Sequence, residues 1–247
     1  MQSLGRIKPG WYVLVALLIY SIIMTNLYIQ SQRSQRILAA IESEVNPSSE
    51  PTINLNLRSP QGLWFPIPGA SLPQDRSYLP GAARSYRRGI NQGFDFYGND
   101  AGIPISYGQP VIASADGIIS RADTVYEELD NAAWQALLSK VADRGASEED
   151  LNLLRGRQVW LELNDGRILR YAHLSAIHPA IIEDAFVYRG QVIAYVGNSG
   201  TDDGVAGSTR GARLHFEIWQ ADGTYFGQNL DSEAAVRSTA DALFVGP

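Results

Sequence analysis

The residues that could do chemistry in this chain are few and grouped. His173 lies in Tyr171-Ala-His173-Leu-Ser, and His215 lies in Arg213-Leu-His215-Phe-Glu217-Ile-Trp219. His178 is the third and last histidine. Any histidine-based mechanism, whether proton transfer or metal ligation, must be built from these three. A carboxylate, Asp95, closes the run Gly89-Ile-Asn91-Gln-Gly-Phe-Asp95. Residues two apart on a strand share a face, so Arg213, His215 and Glu217 are expected to point the same way. A glycine-rich run, Gly190 to Gly200, ends in Asn198, Ser199 and Gly200. Arg84, Arg87 and Arg88 form a small basic cluster just before Asn91; it suits either a solvated loop or a contact for carboxylates.

The elements that must position these residues read as mostly β. Pro110–Ser114, Gly117–Arg121, Gln158–Leu163, Arg167–Tyr171, Gln191–Val196 and Leu214–Trp219 are short, rich in β-branched and aromatic residues, and separated by Gly and Pro. Asn164-Asp-Gly166 between two of them is a hairpin turn signal. Short strands with frequent turns suggest an antiparallel sheet folded over itself. Residues 123–157 break the pattern. Leu129, Ala133, Leu137 and Val141 recur at helical spacing, and Ser147-Glu-Glu-Asp150 has the form of a capping box opening a second helix. This insertion carries eight acidic residues against four basic ones, which suits a solvated helical hairpin or a lid. Ser232 is placed to cap a last helix running through Ala242.

Composition bounds the rest. The chain has 247 residues, 45% of them apolar, enough for one domain with an appendage. It has no cysteine, which excludes disulfides, Cys–zinc sites and thiol nucleophiles. The net charge of −6 leaves no nucleic-acid footprint. No charged residue occurs between Lys8 and Arg33, and residues 11–29 match the roughly 20 residues that cross a bilayer. Trp11, Tyr12 and Tyr28 sit near the ends of that stretch, where aromatic belts form. The expectation is a short tail at 1–10, a transmembrane helix at 11–29, and a helical stalk and linker at 30–62. A single-pass cell-membrane location with the C-terminal domain outside the cytoplasm follows from this reading, although Arg6 and Lys8 nearly balance Arg33 and Arg36.

Four motifs, in order, resemble the lysostaphin-type (LytM-like) zinc metallopeptidases, which cut peptidoglycan. They are Gly89 to Phe96 with Gly108 to Gly117, Tyr171 to Ser175, Gly190 to Gly200, and Arg213 to Trp219. The resemblance implies a mainly β, antiparallel lysostaphin-type (duplicated hybrid motif-like) domain over 63–230, with the helical insertion at 123–157 and a C-terminal helix and tail at 231–247. It also implies a zinc held by the His and Asp of His-x-x-x-Asp and by the second His of His-x-His. Two further histidines would orient the water and stabilise the intermediate.

Carried over residue by residue, the match is partial. Asp95, His215 and His173 stand at family positions, but Asn91 replaces the first zinc ligand and Arg213 the first His of His-x-His. An amide oxygen is a poor zinc ligand, and a guanidinium repels a dication; Arg213 could instead pair with Asp95. His178, Asp202 and Asp203 are the alternative ligands. Glu217 reads as a partner of His215, and Asn198, Ser199 and Gly200 as cleft residues.

The expectation is a catalytically inactive, membrane-anchored domain that binds peptidoglycan or regulates a cell-wall hydrolase, with no cofactor. An active zinc endopeptidase with an altered ligand set, or a structural envelope-assembly module, are the alternatives.

Overall fold

The computed structural model describes residues 62–245. The expected tail, membrane span and stalk therefore lie outside the described residues, apart from residue 62 itself. The described residues all belong to one compact unit, Leu55–Pro247. Among the described residues no helix is long and apolar enough to cross a membrane.

Eleven strands are described: β1 (Ala83–Arg84), β2 (Gly89–Ile90), β3 (Gly93–Tyr97), β4 (Pro110–Ile112), β5 (Gly117–Ala122), β6 (Val159–Glu162), β7 (Ile168–Ala172), β8 (Leu174–Ile177), β9 (Phe186–Val187), β10 (Val192–Val196) and β11 (Arg213–Trp219). A six-stranded antiparallel sheet has the order β3-β11-β7-β6-β5-β9. A three-stranded antiparallel sheet has the order β4-β10-β8, and β1 pairs with β2. The β6–β7 hairpin turns at Asn164-Asp-Gly166, where Gly166 adopts φ 82° and its N–H donates to the Leu163 carbonyl. The mainly antiparallel expectation thus stands, with strand ends shifted by one or two residues.

β11 shows how sequence alternation builds the site. Leu214, Phe216 and Ile218 face the main core and are fully buried. Arg213, His215, Glu217 and Trp219 occupy the other face of the same strand. Tyr171 on β7 is also fully buried, and its hydroxyl accepts from the Ser114 N–H at 2.9 Å, which ties the large sheet to the residues after β4. Burial pushes that phenol up to about 12.

The insertion forms α1 (Asn131–Arg144) and α2 (Glu148–Arg155). Asp130 caps α1, so the helix begins later than the spacing of Leu129 implied. Its buried stripe is Trp134, Leu137 and Val141, with Ala133 exposed. The Ser147/Asp150 capping box opens α2 as expected. Trp134, Leu137, Val141, Leu151 and Leu154 form a second, smaller apolar cluster. A short α3 (Asp202–Val205) follows β10, and α4 (Glu233–Leu243), capped by Ser232, ends the described fold. Val236, Ala240 and Phe244 pack into the main core, and Phe244 bridges to Leu63.

Candidate functional site

A cleft of about 550 Å³ opens on the polar face of β11. Asp95 on β3 and His215 on β11 are direct cross-strand partners. His215 Nδ1 lies 2.8 Å from Asp95 Oδ1, and its Nε2 lies 3.0 Å from Glu217 Oε1. Ionised carboxylates only accept, so both contacts are hydrogen bonds at once when the ring carries both hydrogens, as an imidazolium. Burial opposes that charge, yet the two carboxylates outweigh it and hold the ring's pKa above its ordinary value.

Each carboxylate has further cationic partners. Arg84 Nη2 donates to Asp95 Oδ2 at 2.5 Å, and Asn91 Nδ2 donates to the same oxygen at 3.1 Å. Asn91 is almost fully buried, and its amide nitrogen also donates to the Leu79 carbonyl. Arg155, at the end of α2, donates through Nε to Glu217 Oε1 at 2.7 Å and through Nη1 to Glu148 at 2.8 Å. Trp219 Nε1 donates to the other Glu217 oxygen at 2.6 Å. Burial would raise both carboxyls, but His215 with Arg213 and Arg84 at Asp95, and His215 with Arg155 at Glu217, hold both well below the usual carboxylate range. The result is a line of alternating charge: Arg84, Asp95, His215, Glu217, Arg155, Glu148.

His173 sits 6.0 Å from His215 between ring centroids. Its backbone is left-handed, φ 59°, which few non-glycine residues adopt. Nδ1 donates to the Ser199 carbonyl at 2.7 Å, which leaves the lone pair on Nε2. Burial first, and then Arg213 and His215, push its pKa well below the ordinary value, so the ring is neutral. Gly200 lines the cleft, whereas Asn198 and Ser199 line a separate, smaller cavity of about 240 Å³. Asn198 Nδ2 ties the loop together by donating to the Ser208 and Arg210 carbonyls.

Arg213 opposes Tyr97 across the sheet and lines the cleft. Asp95 takes its direct ion pair from Arg84, not from Arg213. Among the described residues, no carboxylate lies within ion-pair range of Arg213. The basic cluster is no solvated loop: Arg84 pairs with Asp95, Arg87 is buried, and Arg88 Nε donates to the Ala142 carbonyl of α1. Asp202 and Asp203 line the cleft, while His178 stands apart, its Nδ1 accepting from the Ala180 N–H. The sequence reading missed Arg155, Trp134 and Leu154 as cleft residues, because all three belong to the insertion. The insertion therefore forms a wall of the cleft.

The zinc that the resemblance implies does not fit the residues present. Both nitrogens of His215 are committed to carboxylates, both oxygens of Asp95 are engaged, and a guanidinium stands on the same strand face. Among the described residues no group of three or more His, Asp or Glu is placed to hold a metal ion.

A mainly antiparallel sheet with this motif order is similar to the lysostaphin-type (LytM-like) peptidases. The model of Peptidase family M23 matches residues 138–229, less than half of the chain but including His173, Arg213, His215 and Glu217. Among solved structures, Helicobacter pylori Csd3 matches at 16% identity with a TM-score of 0.38, over 72% of this chain and 37% of that one. The catalytic domain of lysostaphin from Staphylococcus simulans matches at 21% identity with a TM-score of 0.36, over 60% of this chain and 82% of that one. A chain of the SpoIIQ-SpoIIIAH pore forming complex matches at 17% identity with a TM-score of 0.39, over 67% of this chain and 87% of that one. This chain thus spans little more than a third of the length of Csd3. Comparison with curated proteins finds no match.

Proposed function

We propose that this domain binds cell-wall peptide at the cleft without hydrolysing it, held at the membrane by residues 11–29 and exposed outside the cytoplasm. A cell-wall hydrolase regulated by the bound state is the partner this reading invites. The observation that supports it is the His215 ring, clamped at both nitrogens between Asp95 and Glu217. An imidazolium has no lone pair for a metal, and Arg213 adds a fixed positive charge beside it. Without a Lewis acid, the cleft lacks the usual means of lowering the pKa of an attacking water.

The test uses the purified full chain in detergent, incubated with excess zinc, desalted and analysed for metal. The expected zinc content is near zero, with peptidoglycan pulled down but not degraded. One zinc per chain, together with chelator-sensitive release of peptidoglycan fragments, would overturn the reading.

A further inference from the structure

The charges lining the cleft do not balance. Its carboxylates are already committed: Asp95 to Arg84 and His215, and Glu217 to His215 and Arg155. Asp203 accepts from Ser208 Oγ at 2.9 Å with Arg210 beside it, while Asp202 accepts at 2.7 Å from the neutral Trp134 Nε1–H and has no ion pair among the described residues. Two cleft guanidiniums remain without a carboxylate among the described residues. One is Arg213. The other is Arg87, 9% exposed, which donates Nη2 to the Ile90 carbonyl while its buried Nε has no partner. Against these two guanidiniums stands one cleft carboxylate without an ion pair, Asp202, so the unpaired charge in the cleft is net positive.

Beside Arg213 is a group of opposite hydrogen-bonding sense. His173 spends its N–H on Ser199, so Nε2 can only accept. The left-handed backbone at His173 is a strained position of the kind that persists where the surroundings over-determine it. Gly197 makes room for that turn: a Cβ there would lie 2.7 Å from the His173 carbonyl oxygen. Trp134, Leu138 and Leu154 of the insertion give the same cleft an apolar wall.

We propose that the cleft is a peptide-carboxylate site, in which Arg213 holds a carboxylate of the ligand and Nε2 of His173 accepts an N–H from the adjoining amide. The proposal deepens the non-hydrolytic reading above and rests on it. A guanidinium matches a carboxylate through two parallel N–H donors. A peptide offers an amide N–H within one residue of its carboxylate, whether that carboxylate is the C-terminus or an acidic side chain.

The test is calorimetric titration of the full chain in detergent with N-acetyl-glycyl-glycine, its C-terminal amide, and N-acetyl-glutamyl-glycinamide. At least one acid is expected to bind one per chain, about tenfold or more tighter than the uncharged amide, the discrimination of a charge-assisted hydrogen bond. The tighter of the two acids assigns the carboxylate to a chain end or to a side chain. Arg213→Gln is expected to abolish the discrimination, and Arg213→Lys to keep part of it. His173→Asn is expected to weaken the acids further, with circular dichroism reporting that each variant is folded. Equal binding of acids and amide by the wild-type chain, or no binding of any probe at millimolar concentration, would overturn the proposal whatever the variants do. The zinc analysis separates the two failures. A chain that holds no metal and ignores carboxylates sinks this inference alone, whereas a chain that loads zinc and releases peptidoglycan fragments sinks the reading beneath it.

Discussion

Glu217 receives hydrogens from His215, Arg155 and Trp219, and Arg170 Nη1 lies 3.6 Å from its second oxygen. Glu217 is 1% exposed and Arg155 4% exposed, so the cations that depend on this carboxylate have no ready access to water. Removing one member of a buried ionic group strands the others, which costs more than the group contributes as a whole. Glu217→Ala is therefore expected to lower unfolding stability by about 3–5 kcal/mol, read from urea melts. A loss under about 1 kcal/mol would mean that water screens the pair after all. At this scale the sequence spoke in part. The shared face of Arg213, His215 and Glu217 follows from strand alternation alone, and it makes Glu217 a candidate partner of His215. That Arg84 rather than Arg213 reaches Asp95 does not follow, because Arg84 lies on β1, eleven residues before Asp95 and outside the β3–β11 pair that carries the site.

At the scale of elements, the insertion was legible as helices and illegible as a wall. Its capping box and apolar spacing are local signals, read over a few residues. Its docking rests on partners far away in sequence. Arg155 reaches Glu217, 62 residues on, and Trp134 reaches Asp202, 68 residues on. Gly156 ends α2 at φ 65°, directly against the loop that holds His173; a Cβ there would lie 2.3 Å from the Ser199 carbonyl carbon. No side chain fits that contact without moving backbone. Gly156→Ala is expected to destabilise the fold by about 1–3 kcal/mol from the positive-φ backbone alone, with the overlap adding to it. Hydrogen exchange in α1 and α2 is expected to speed up more than in β6 and β7, since the insertion has its own small apolar cluster and opens as a unit. Uniform acceleration across the domain would show instead that the wall is no separate unit.

For the whole molecule, the two cleft histidines set opposite limits on the pH range of stability. His215 has its pKa raised above the ordinary 6.5, so its contribution is fully present below 6.5 and is lost as pH rises through the folded value. His173 has its pKa depressed well below 6.5, so its contribution is present above 6.5 and is lost as pH falls toward the folded value. Asp95 and Glu217, depressed from 3.8 and 4.5, add a further loss below those ordinary values. The four effects intersect near the ordinary histidine pKa, and the stability of the domain is expected to peak there and fall on both sides. Melting temperatures across about pH 4 to about pH 9 test this, with wild type set against His215→Asn and His173→Asn. The first variant is expected to flatten the alkaline limb and the second the limb just below the peak, while the steep acid loss of the carboxylates persists in the second. The alternating line of charge requires an imidazolium at its centre. A wild-type profile that keeps rising above the ordinary histidine value would place a neutral ring between Asp95 and Glu217, and the clamp that withholds His215 from a metal would then be the wrong description of the cleft.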